Sequence, residues 1–181
     1  HHNIQELAVT QQELQIDLAG LTEHCLNTTQ PRIINSIRQS LNRQFLGQYV
    51  IQMNSAQVDT LTPYLPGGTP SLLIGNTIAR LEPTGRGGDA QGRWSYLSFR
   101  RKHLPPLTIY TAYKVNKNPT NQIRITAWHQ QRLQLNAQQR HGEHPREAFT
   151  TDLIESILYH KSQHHHIIVG GDFNDTLFTN Q

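Results

Sequence analysis

Near the end of the sequence, Ile167-Ile168-Val169-Gly170-Gly171-Asp172-Phe173-Asn174-Asp175 sets a carboxylate and an amide two positions apart. A carboxylate accepts protons and hydrogen bonds and binds hard cations; an amide both donates and accepts. Asp172 and Asn174 project to the same side if the extended geometry persists. The apolar run before them predicts a strand buried on both faces. Glycine at its end lets the backbone turn sharply or approach a ligand closely. An acidic oxygen and an amide would then stand at the mouth of a sheet, where open α/β-type sheets hold their ligands.

Positioning those groups requires a folded domain, and 181 residues suffice for one with a real core. Hydrophobic residues make up 35%, lean but outside the disordered range. Sixteen Lys and Arg against thirteen Asp and Glu leave the chain mildly basic, which suits a polyanionic partner without demanding one. Eleven histidines would add positive charge in mildly acidic conditions. Cys25 stands alone, so an internal disulfide is excluded. No apolar run approaches the ~20 residues needed to span a bilayer, so no membrane association is expected. No basic-then-apolar leader opens the sequence.

Helical spacing of Ile4, Leu7, Ala8 and Leu14 predicts an amphipathic helix over about 4–15. A short apolar strand follows over 16–21 and runs into Thr22-Glu23-His24. Pro31 fits the first turn of a second helix, with Ile33, Ile34, Ile37, Leu41 and Phe45 on one face and an end near Gly47. Tyr49–Met53 reads as a strand, and 63–70 as a turn-rich loop with Gly67-Gly68. Residues 72–81 are expected to form one strand kinked at Gly75, and 85–93 a flexible basic loop. The loop lacks a Lys-Ser/Thr ending and a suitably framed helix, so a phosphate-binding P-loop is not expected. Arg93–Phe99 and Leu107–Tyr113 alternate as strands. Between them, Arg100-Arg101-Lys102-His103 reads as a solvated hairpin turn. Thr126–Leu133 begins a polar helix. Pro145 opens another, with Phe149, Leu153, Ile154, Ile157 and Leu158 as its buried face. His164-His165-His166 cannot all face one ion from an extended strand and reads as a polar lead-in.

Taken together, Gly171-Asp172-Phe173-Asn174 resembles the GDFN motif of the endonuclease/exonuclease/phosphatase superfamily, which shares the deoxyribonuclease I fold. Asp17-Leu18-Ala19-Gly20-Leu21-Thr22-Glu23-His24 resembles the segment that carries the family's metal-binding glutamate. Thr111-Ala112-Tyr113-Lys114-Val115-Asn116 resembles the T-A-Y-x-x-N segment of its abasic-site endonucleases. Gly92-Arg93 is similar to the family's entry into a central strand, with the arginine near the cleft. The 126–133 stretch and its spacing to Pro145-Arg146 resemble retroelement-type members.

The resemblance implies an α/β (α+β) fold: a four-layer α/β/β/α sandwich of two mixed sheets, incomplete, as a single domain over 1–181. It implies a metal-dependent phosphodiesterase, most simply an endonuclease on DNA. Glu23 would be the ligand of Mg²⁺ (or Mn²⁺), and Asp172, Asn174 and Tyr113 catalytic. Asp172 would deprotonate the attacking water, Asn174 would hold water or phosphate in line, and Tyr113 would donate to a phosphate oxygen. Arg93 and Asn116 would contact substrate. An intracellular location follows, nuclear for a retroelement endonuclease. The family also has an asparagine on a strand before the first helix and a Ser-Asp-His segment at its end. Neither is found here, so the sequence is expected to carry the middle of the family's domain. Two other readings stay open: a phosphatase or phospholipid/inositol phosphate phosphodiesterase with the same Glu-Asp-Asn core, and a non-catalytic relic that folds as a binding module.

Overall fold

A computed structural model of the chain describes residues 2–116 and 126–175, with side chains described from residue 6. The order of elements is α1 (His2–Glu13), β1 (Leu18–Gly20), α2 (Pro31–Phe45), β2 (Tyr49–Asn54) and β3 (Thr69–Ile74). A 3-10 helix (Gly75–Arg80) leads into β4 (Leu81–Gly88), β5 (Trp94–Phe99) and β6 (Leu107–Tyr113). Then come α3 (Ala127–Ala137), α4 (Pro145–Ser162) and β7 (His166–Asp172). Ile4, expected on the apolar face of the first helix, lies outside the described side chains. Residues 176–178, the end of the resembled stretch, lie outside the described residues.

The strands form two sheets, a three-stranded one in the order β1-β3-β2 and a four-stranded one in the order β4-β5-β6-β7. The first is antiparallel throughout its described pairs. The second is mixed, because β6 and β7 run parallel. Mixed pairing was expected in both sheets and is found in the second.

Helix α2 explains one outer layer. Ile33, Ile37 and Leu41 fall four apart, so they line one face, and all three are buried. They pack with Ala8 of α1 against Leu72 and Ile74 of β3. On the opposite side, Phe149 and Leu153 of α4 cover Trp94, Tyr110 and Ala112 of the second sheet. Between the sheets lie Leu73, Leu97 and Phe99, with Leu18, Val50 and Ile109 beside them. Leu72 faces the helices while Leu73 faces the other sheet, the period-two alternation of a strand covered on both sides. The sheets also share a buried hydroxyl cluster. Ser71 Oγ is 3.0 Å from Ser95 Oγ and 2.9 Å from Thr111 Oγ1. The result is the four-layer α/β/β/α sandwich.

Three local expectations are corrected. The doubly buried strand is β3, every residue of which is buried, and not β7. β7 lies at the edge of its sheet, with Ile167 and Val169 facing α4 and Ile168 52% exposed. A β-branched run specifies extended backbone but not rank within a sheet. The single strand expected over 72–81 ends at Ile74. Gly75, at φ +74°, turns the chain into the 3-10 helix, and Thr77 donates its hydroxyl to Asp17 there. Finally, residues 85–88 of the expected flexible loop belong to β4, which is paired with β5, leaving a short turn at 89–92.

Candidate functional site

The site is assembled at the C-terminal ends of β6 and β7. In that parallel pair Tyr113 is the register partner of Asp172. The Lys114 amide donates to the Asp172 carbonyl at 2.8 Å, extending the ladder one residue further. Gly171 makes this approach possible. Its φ is +144°, and a Cβ built there would lie 1.9 Å from the Ala112 carbonyl oxygen.

Beyond Asp172 the chain turns back on itself, with Asn174 at φ +47°. The Asn174 amide donates to Asp172 Oδ1 at 2.9 Å. Its Nδ2 donates to the Lys114 carbonyl at 2.7 Å and to Asp172 Oδ2 at 3.3 Å. This is the local side-chain-to-backbone pairing that Asp and Asn favour at turns. Both Asp172 oxygens are thereby oriented, and the carboxylate stays exposed.

Glu23 arrives from the other sheet, on the loop after β1. That loop is tied down by backbone bonds from Leu21 to Pro70 (3.0 Å) and from Cys25 to Gly67 (2.9 Å). His24 fixes it further. Its Nδ1 accepts from the Leu26 amide at 3.0 Å, so its Nε2 donates to the Asn54 carbonyl at 2.8 Å. Burial pushes the His24 imidazole down to about 4, so it is neutral in this role. Glu23 and Cys25 both sit at positive φ, 57° and 55°. Non-glycine residues there store about 1–3 kcal/mol each and cluster at functional sites. The strained turn aims Glu23 at Tyr113, whose hydroxyl donates to Glu23 Oε1.

Tyr113 is 3% exposed. Burial pushes its phenol well above the usual tyrosine range, reinforced by the Glu23 hydrogen bond and the Glu23 and Asp172 charges. A phenol so placed stays protonated and acts as a hydrogen-bond donor. Two pairs named from the sequence are thus brought side by side: Tyr113 with Glu23 across the two sheets, and Asp172 with Asn174 at the end of β7, joined by the register pairing of Tyr113 and Asp172.

Arg93 and Asn116 are placed differently. Arg93 is 2% exposed. Its Nε lies 2.6 Å from Asp89 Oδ2 and its Nη2 2.6 Å from Asp152 Oδ2, with the guanidinium over Trp94. Its charge is consumed in a buried ion-pair cluster under α4, whereas the sequence placed it at the cleft. What it gives the site is its carbonyl, which accepts from the Tyr113 amide at 2.7 Å. Asn116 is exposed three residues beyond Tyr113. The basic turn 100–103 and the histidines 164–166 lie at the opposite end of β6, roughly 20 Å from Tyr113 at ~3.3 Å per residue.

Sequence reasoning missed the group that locks the Glu23 loop. His24 needs Gly68, at φ +90°, where a Cβ would lie 2.4 Å from His24 Nε2. The Gly67-Gly68 pair was a visible sign of such an approach. Lys114 and Arg146, which lie beside the site, fall within resembled segments, but nothing in the sequence marked them as a pair.

A divalent cation fits the donor set in one respect and is limited in another. Among the described residues, no three His, Cys, Asp or Glu side chains cluster tightly enough to hold an ion by themselves. Glu23 accepts from the Tyr113 hydroxyl, Asp172 is the register partner of Tyr113, and the His24 ring nitrogens are engaged elsewhere. One or two carboxylates, completed by water and phosphate oxygens, is how Mg²⁺ is ordinarily held.

No protein-family model matches the sequence, and no curated protein matches it. Among solved structures, the chain is similar to ANGEL2, described as a 2',3'-cyclic phosphatase, with a TM-score of 0.50 and 13% identity. The match covers 94% of this chain and 42% of that one, so the chain spans less than half the length of its structural neighbour. At this identity the likeness is one of fold.

Proposed function

We propose that this chain carries the site of a divalent-metal-dependent phosphodiester hydrolase that cleaves DNA as an endonuclease. The supporting observation is the convergence of Glu23, Tyr113, Asp172 and Asn174 from two sheets, with Tyr113 donating to Glu23 and Asn174 orienting Asp172. A bound Mg²⁺ or Mn²⁺ would neutralise the phosphate oxygens that otherwise repel a nucleophile. Glu23 would hold the ion. Tyr113, kept protonated, would turn its hydroxyl from Glu23, engaged by the ion, to a phosphoryl oxygen as charge develops on it. Asp172 is held by Asn174 with its carboxylate exposed, where it takes the proton of the attacking water. The net positive charge of 16 − 13 = 3 favours a polyanionic substrate. The 126–133 stretch and its spacing to Pro145-Arg146 favour a retroelement-type enzyme, whose working compartment would be the nucleus.

A second reading draws on the neighbour's description. The same residues would serve hydrolysis of a terminal or cyclic phosphate, because the chemistry at phosphorus is shared. A substrate panel separates the two: a supercoiled plasmid, an RNA ending in a 2',3'-cyclic phosphate, and a phosphoinositide, each with Mg²⁺ and with EDTA. Metal-dependent nicking of the plasmid is the expected result. Turnover confined to the cyclic phosphate or the phosphoinositide would overturn the endonuclease assignment and retain the hydrolase. A folded chain that turns over none of them would be a binding module.

A further inference from the structure

Beside the Asp172 turn lies a groove of about 540 Å³ that the four site residues do not line. Its walls include Lys114, His144, Arg146, Glu147, Thr151 and Asp175. Arg146 is 7% exposed and already held in place: one Nη donates to the Val115 carbonyl, and Nη2 reaches Asp175 Oδ1 at 2.6 Å. Lys114 Nζ reaches the other oxygen, Asp175 Oδ2, at 2.9 Å. A single carboxylate thus spans two cations, one oxygen to each. His144 Nδ1 accepts from the Arg146 amide at 3.3 Å, leaving its Nε2 as a third donor.

We propose that Lys114 and Arg146 form a second phosphate subsite, which takes a backbone phosphate of a polynucleotide next to the one being cleaved, with Asp175 holding its place. A phosphodiester presents two charged oxygens, as Asp175 does, and Arg is suited to bind such a fork. Replacing Asp175 by a phosphodiester exchanges one negative charge for another, so neither cation is left unpaired. The groove adjoins the candidate site through Lys114. Lys114 follows Tyr113, its amide donates to the Asp172 carbonyl at 2.8 Å, and its carbonyl accepts from Asn174 Nδ2 at 2.7 Å. This deepens the reading above and rests on it for the position of the scissile phosphate. A substrate with a single terminal phosphate has nothing to place in the groove, so the subsite selects a polymer. The proximity of Lys114 to both sites also gives the cleft a direction, from Glu23 across Asp172 to the start of α4.

The test is binding of a labelled 12-base-pair DNA duplex in EDTA, followed by fluorescence anisotropy over a salt series, for the wild type, Lys114→Gln and Asp175→Asn. Lys114→Gln is expected to weaken binding about tenfold and to flatten the dependence on salt by about one phosphate contact. Asp175→Asn is expected to tighten binding several-fold, because it removes the competing carboxylate. Opposite signs in the two variants would support the subsite. An ion pair serving only the fold would lower the thermal midpoint in both and give no tightening in Asp175→Asn. Unchanged affinity in Lys114→Gln, or weaker binding in Asp175→Asn, would overturn the proposal. Because no cleavage is involved, opposite shifts in a chain that hydrolyses nothing would retain the subsite and reject the hydrolase.

Discussion

Glu23 and Tyr113 are 90 positions apart and joined by one hydrogen bond, which makes the pair the clearest probe of the site. Glu23→Gln keeps an oxygen for the Tyr113 hydroxyl to donate to and removes the charge. It should lower metal-dependent cleavage by about 100-fold or more with an unchanged thermal midpoint, because a hard cation loses its carboxylate anchor. Tyr113→Phe should lower kcat by about 100-fold while leaving KM within a few-fold, since it removes a donor that acts on developing charge. Steady-state kinetics with each variant, beside a melting curve, checks both. Loss of the melting transition instead would assign the pair a purely structural role. At this scale much was legible in the sequence. Tyr113 and Asp172 end their strands and Glu23 and Asn174 lie just beyond strand ends, all within short motifs, although the turns that aim Glu23 and Asn174 were not visible. Arg93 was not legible. The sequence places it at the head of a strand but says nothing of the partners it will find, and Asp89 and Asp152 draw its side chain beneath α4.

At the scale of elements, the parallel pairing of β6 and β7 carries the site, and Gly171 controls it. Gly171→Ala would bring a methyl group into the Ala112 carbonyl at a φ that L-residues avoid. Destabilisation of about 3 kcal/mol or more is expected, read as a fall in the urea midpoint, and an unaltered midpoint would mean that the two strands are not so closely paired. The α4 layer offers a test by pH. His160 is 7% exposed, and its Nδ1 lies 2.7 Å from the Tyr110 hydroxyl, with His165 and Glu82 as the charged neighbours that act on it. Burial holds its imidazole below the ordinary 6.5. The unfolded chain therefore takes up the proton first on acidification. Stability is full above about pH 6.5 and declines as pH falls toward the lower folded value. His24 acts in the same direction, so the informative quantity is a difference. His160→Gln should show a shallower loss of urea midpoint between pH 7 and pH 5 than the wild type; equal slopes would place the His160 titration elsewhere. Helix α2 was legible because its four-residue spacing has one reading. The β3–β4 region was not, because Gly75 within an apolar run fits a kink as well as a strand end, and Asp17, far away in sequence, helps to decide it.

The whole molecule places its candidate site at one end of a four-layer sandwich and its densest basic turn at the other. Fold class was legible from the order of helical and alternating segments together with the Gly171–Asn174 motif. The rank of each strand was not, because it depends on which neighbours are present. Among the described residues β7 is an edge with Ile168 exposed, and the chain spans 42% of its structural neighbour. No described helix is long and apolar enough to cross a membrane. The central claim is that a site gathered from residues 23, 113, 172 and 174 cleaves the phosphodiesters of DNA with a divalent cation. Plasmid nicking with Mg²⁺ and with EDTA, for the wild type and for Asp172→Ala, tests it most directly. Nicking is expected in Mg²⁺, none in EDTA, and a loss of about 100-fold or more in the variant. Nicking that persists in EDTA or in folded Asp172→Ala, or a folded wild type that nicks under neither condition, would contradict it.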